Sequence, residues 1–64
     1  MEIEKRFAHL ARSYNRTSHI IVYCKRKDVW TIRFQSDVIT LEAPTLEQLL
    51  SKACVWILEN HKIG

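Results

Sequence analysis

From Val29 to Gln35 the side chains alternate, with Trp30, Ile32 and Phe34 on one side and Val29, Thr31, Arg33 and Gln35 on the other. A period of two with one apolar side dictates a half-buried strand, and such a strand in a short chain belongs to an antiparallel sheet. Its neighbours are close by. Ser18 to Lys25 is rich in strand formers, with Ile20, Ile21, Val22 and Tyr23 in succession, and Val38 to Ala43 supplies a third strand. Two registers exist for that third strand, and the one that buries Ile39 and Leu41 is far more hydrophobic than the one that buries Val38 and Thr40. The connection Lys25-Arg26-Lys27-Asp28 is short, charged and free of Gly, which suits a four-residue loop around a type I turn. A second tight turn falls near Gln35-Ser36-Asp37.

On either side of this block the period becomes 3.6. Residues 2 to 16 predict an amphipathic helix with Ile3, Phe7, Leu10 and Tyr14 on one stripe. Lys5, His9, Arg12 and Arg16 lie roughly 160° around the same cylinder, and Arg16-Thr17-Ser18 ends it. After Pro44, Thr45 followed three residues later by Gln48 forms a capping-box pattern. The helix it opens should run to Asn60 or His61, with Gly64 too far beyond to cap it. Its docking stripe is Leu46, Leu49, Leu50, Ala53, Trp56 and Ile57, the spacing of a helix laid on a sheet. The expected architecture is therefore α+β: a single domain over residues 1–64, with an N-terminal helix, a three-stranded antiparallel meander and a C-terminal helix packed on the sheet. In the simplest packing that helix also covers one face of the first strand.

Composition sharpens the problem this fold has to solve. The chain has 64 residues, 47% of them hydrophobic, with one Gly and one Pro. That composition excludes collagen-like and disordered classes, while the length is near the limit for a self-sufficient core. No apolar run reaches the ~18 to 20 residues that span a bilayer, and the start of the chain is charged and periodic, so a cytoplasmic location is expected. Cys24 and Cys54 form neither a CxxC nor a zinc-ligand pattern, and both are expected reduced and at least partly buried.

Two features bear on function. The first is a surplus of apolar surface. Beyond its docking stripe the last helix carries Cys54, Val55 and Leu58, and the first strand is apolar on both faces. Val55, Leu58 and Cys54, with Ile21 and Tyr23, are the expected contacts of a homodimer or a protein partner. The second feature is charge. Residues 1–33 hold eight Lys or Arg against three Asp or Glu, and residues 34–64 hold two against four. Lys5, Arg12 and Arg16 on the helix, Lys25, Arg26 and Lys27 at the hairpin tip, and Arg33 on the second strand make the alternative, a nucleic-acid-binding surface. A charged stripe opposite an apolar one is also what any solvated helix needs.

Catalytic signatures are absent. There is no Gly-rich phosphate loop, GxSxG or HExxH, and His9, His19 and His61 fall on three different elements. His19 is expected to be exposed at a strand edge, and His61 to complement the helix dipole. No cofactor, metal or small-molecule substrate is implied, since a chain of this size struggles to enclose ~300 Å³. The expectation is a non-enzymatic regulatory or adaptor protein of the kind found among phage or mobile-element accessory genes.

The segment from Trp30 to Leu58, with Trp30-Thr31-Ile32-Arg33-Phe34, a return strand, and Pro44-Thr45-Leu46-Glu47-Gln48-Leu49-Leu50-Ser51-Lys52-Ala53, resembles the antitoxin module of HicB-like proteins. It covers less than half of the chain. The Pro-Gly-Cys segment of that family's inter-strand loop is missing, residues 34 to 38 are shorter, and an N-terminal helix is added. The resemblance implies a compact three-stranded sheet with helices, an oligomer, and a role in blocking or regulating another macromolecule.

Overall fold

The computed structural model describes residues 2–35 and 38–60. Ser36 and Asp37 of the second turn, and His61 and Gly64, lie outside the described residues. The elements follow the expected order: α1 (Glu2–Ser13), β1 (His19–Cys24), β2 (Val29–Phe34), β3 (Ile39–Ala43) and α2 (Leu46–Asn60). The strands form one antiparallel sheet in the order β1-β2-β3, so β2 is central and β1 and β3 are edges.

Register decides which side chains share a face. Tyr23, Trp30 and Ala43 are aligned across the sheet, as are Ile21, Ile32 and Leu41, and His19, Phe34 and Ile39. Directly opposed residues point to one side, so these nine make the inner face. The outer face carries Ile20, Val22, Thr31, Arg33, Thr40 and Glu42. β3 takes the register expected for it, with Ala43 buried, Ile39 and Leu41 half-buried, and Thr40 and Glu42 exposed.

The core is built from β2 outward. Ile32 and Phe34 are fully buried under α2, whose Leu49, Leu50, Ala53 and Ile57 lie along the expected stripe. α1 adds Phe7 and Ala11. Thr45 caps α2, its Oγ1 accepting from the Gln48 N–H at 3.1 Å while its carbonyl accepts from the Leu49 N–H. Helix α1 stops three residues before the expected Arg16. Asn15 takes the left-handed conformation (φ 58°), the Asn15 N–H donates to the Arg12 carbonyl, and the Arg16 N–H donates to the Ala11 carbonyl. That is a Schellman termination, and Asn tolerates its positive φ better than most residues. Arg16 then folds back, its guanidinium donating to the Tyr14 carbonyl at 3.1 Å and lying 5.9 Å from the Trp56 ring centroid.

One expectation about packing fails. α2 lies on β2 and β3 and α1 packs on α2, but neither helix lies over β1. A single helix is about 10 Å wide with its side chains, roughly two strand spacings. α1 reaches the start of β1 through the Phe7 ring, 5.0 Å from that of His19.

Two stability predictions follow from the core and the cap. Leu49→Ala should cost about 2–5 kcal/mol, read as a fall in the urea midpoint with unchanged slope. Asn15→Gly should be tolerated, whereas Asn15→Ala should cost about 1 kcal/mol for its positive φ.

Candidate interaction surface

The bare strand defines the site. Ile20, Ile21, Val22 and Tyr23 are 48%, 37%, 51% and 42% exposed, four consecutive large apolar residues on an edge strand. Ile20 and Val22 are open because nothing among the described residues covers the outer face. Ile21 and Tyr23 are open because the helices stop short of the inner one.

The backbone of β1 can be sorted as well. The Gln35 N–H donates to the Ser18 carbonyl at 3.0 Å, which marks that pair as hydrogen-bonded. Antiparallel pairs alternate between bonded and non-bonded, so Ile20, Val22 and Cys24 turn their peptide groups toward β2. Ile21 and Tyr23 therefore turn theirs to the free edge, as does His19, whose N–H donates locally to the Thr17 carbonyl. At the opposite edge the same alternation turns the Glu42 carbonyl outward, and there the Lys52 ammonium donates to it at 2.8 Å. Among the described residues, one edge carries a Lys guard and the other carries none.

Local contacts tie β1 down at both ends. His19 is half-buried and not a solvent-facing edge residue. Its Nδ1 donates to the Arg16 carbonyl at 3.1 Å, and its ring meets Phe7 and Phe34. At the tip Tyr23 packs on Trp30, ring centroids 5.2 Å apart, and its hydroxyl donates to the Asp28 carboxylate. Asp28 sits at the left-handed position (φ 54°) that closes the four-residue connection. The hydrogen bond to this carboxylate, followed by desolvation and the repulsion of its negative charge, raises the Tyr23 phenol above its ordinary range.

An open cleft of about 420 Å³ runs between α1, the inner face of β1 and the start of α2, with Phe7, Ala11, Ile21, Trp30 and Leu50 among its walls. It exists because the helices leave β1 uncovered.

The five residues expected at an interface are not brought together. Ile21 and Tyr23 belong to the β1 surface. Val55 and Leu58, 53% and 39% exposed, form a separate apolar flank on α2. Cys54 is 5% exposed and belongs to the core, where burial raises its thiol pKa and the Arg6 charge only partly offsets this. The signal for its burial was the second helix: α1 packs on α2, and Ile3 and Arg6 flank Cys54. Both cysteines are free. Cys24 lies on the outer face and Cys54 on the helix side, so the sheet separates them. Ile20 and Val22 complete the surface and were not named as contacts, although their place in an unbroken apolar run was the available signal.

The cations spread out. Arg16 is engaged with Trp56, Arg33 is exposed on the outer face away from α1, and Lys25, Arg26 and Lys27 are exposed at the hairpin tip. Arg12 lines the cleft beside Thr17 and His19, at the other end of β1 from the tip. The six steps of strand between those ends span roughly 20 Å. Lys5 is exposed on α1. Among the described residues no group of three His, Cys, Asp or Glu is arranged to hold a metal ion, and no helix is long and apolar enough to cross a membrane. No protein-family model, curated protein or solved structure matches the chain.

Asp28→Asn should lower the Tyr23 phenol pKa, seen as an earlier step in an ultraviolet alkaline titration. In native protein, a thiol reagent should label Cys24 promptly and Cys54 only on unfolding, because burial keeps the latter a protonated, inaccessible thiol.

Proposed function

We propose that this chain is a small, non-enzymatic regulatory or adaptor protein of the cytoplasm that works through protein–protein contact, as a homodimer. The observation that carries this reading is the exposure of Ile20 to Tyr23 on a strand that no helix covers. Singly exposed apolar residues are ordinary, but a continuous run along an open sheet edge is a liability unless something covers it. Natural sheets guard such edges with charge, as Lys52 does beside β3. Among the described residues no such guard stands at β1, which fits a surface that is covered in use. The implied likeness to HicB-like modules points the same way, toward an oligomer that regulates another macromolecule.

The distribution of cations favours this reading over nucleic-acid binding. A phosphate track needs charges along one side, and here Arg33 and α1 lie on opposite sides of the sheet, with Arg16 occupied by Trp56.

Sedimentation equilibrium across micromolar concentrations should return a dimer mass. The double variant Ile20→Glu with Val22→Glu should return a monomer of unchanged circular dichroism. A strictly monomeric wild-type protein that binds no hydrophobic dye sinks the proposal. Gel shifts with duplex and single-stranded probes at low salt should stay blank; a strongly salt-dependent shift would support the nucleic-acid reading instead.

A further inference from the structure

We infer that the partner of β1 is β1 of a second copy, paired antiparallel about a two-fold axis through Val22, so that the two sheets become one of six strands. This rests on the homodimer reading and specifies its geometry.

The backbone selects both the mode and the register. Outward-facing peptide groups on β1 belong to His19, Ile21 and Tyr23, and the His19 N–H is already donated to Thr17. Ile21 and Tyr23 therefore hold the outward donors that a partner strand can use. Pairing Ile21 with Tyr23 of the second copy, and the reverse, satisfies the N–H and C=O of both residues in both copies with four bonds. An axis through Ile21 instead opposes Tyr23 to His19, whose donor is spent. An axis through Tyr23 opposes Ile21 to Lys25, which lies outside β1 in the turn. Only the axis at Val22 leaves no outward donor of the pair unmatched.

Side chains agree with this register. On the outer face Val22 meets Val22 and Ile20 meets Cys24; on the inner face Ile21 meets Tyr23. Every opposed pair is free of formal charge, and the exposed apolar run is covered from the edge by its own sequence. The antiparallel sense also places the Lys25-Arg26-Lys27 tips at opposite ends, whereas a parallel pair would set them side by side. β3 is less suited to the same role, because the Lys52 ammonium already occupies the outward carbonyl of Glu42.

The axis makes a sharp test, since Val22 would face its own copy in a non-hydrogen-bonded pair, with Cα atoms about 4.5 Å apart, a distance that a disulfide accepts. In a Cys24→Ser background, Val22→Cys should cross-link to a covalent dimer under copper-phenanthroline oxidation, while Val55→Cys in the same background should not. Cys54, being buried, stays silent in both. As a backbone test, Ile21→Pro removes an outward N–H and spares the bonds to β2, so the monomer should keep its circular dichroism. Its dimer should dissociate about tenfold or more readily than that of Ile21→Ala, since two bonds are lost per dimer. If Ile21→Pro does not fold, the cross-link decides. A sedimentation dimer in which Val22→Cys stays uncrosslinked overturns this pairing and leaves the homodimer standing, and cross-linking at Val55→Cys would move the interface to α2. A strict monomer removes both.

Discussion

The ring of Phe34 is the joint of the molecule. It is fully buried and stacks on Trp56 of α2, with centroids 4.7 Å and planes 19° apart. Phe7 of α1 and His19 of β1 meet it at 6.4 Å and 6.0 Å. Four of the five elements therefore meet at one side chain on the central strand. Aromatic pairs contribute ~0.5–1.5 kcal/mol beyond their buried area, so this cluster carries a large share of what a small core can supply. Around this joint α2 lies over β2 and β3, and α1 packs on α2, reaching the start of β1 through Phe7. The rest of β1 is left outside the helical layer, and the bare strand and the cleft beside it share that cause.

Much of this was legible in the residues. The alternation from Val29 to Gln35 and the apolar register of Ile39 and Leu41 gave the sheet, and Thr45 with Gln48 gave the start of α2. Those signals are local, and burial of one face fixes them. The end of α1 was also written locally, in Asn15, but a left-handed cap is outweighed in a periodicity reading when Tyr14 continues the apolar stripe. What no periodicity contains is the lateral position of a helix on a sheet. Cys54 looked like a free shoulder and is roofed by α1, while one face of the first strand looked coverable by α2 and is not. His19 followed the same rule. A polar residue at the start of a strand reads as exposed until three-dimensional packing brings Phe7 against it.

The candidate site was legible as a surplus and not as a place. Counting apolar residues shows that the first strand and last helix carry more than one small sheet can hide. The count cannot show that Ile20 and Val22 take the outer face, or that Val55 and Leu58 lie on a different flank. The first assignment comes from the β1–β2 register, which is invisible until the strands meet, and the second from how α2 sits against β2, β3 and α1.

The Lys52 contact on the Glu42 carbonyl has a further consequence for assembly. A sheet with two open apolar edges can add strands at both, and nothing then limits the ribbon that results. In the proposed dimer, pairing at β1 would use up that edge, and at β3 the Lys52 ammonium occupies the Glu42 carbonyl that a further strand would need. A single ammonium on the far side of the molecule would thereby bias that assembly toward a finite particle and away from an open-ended polymer.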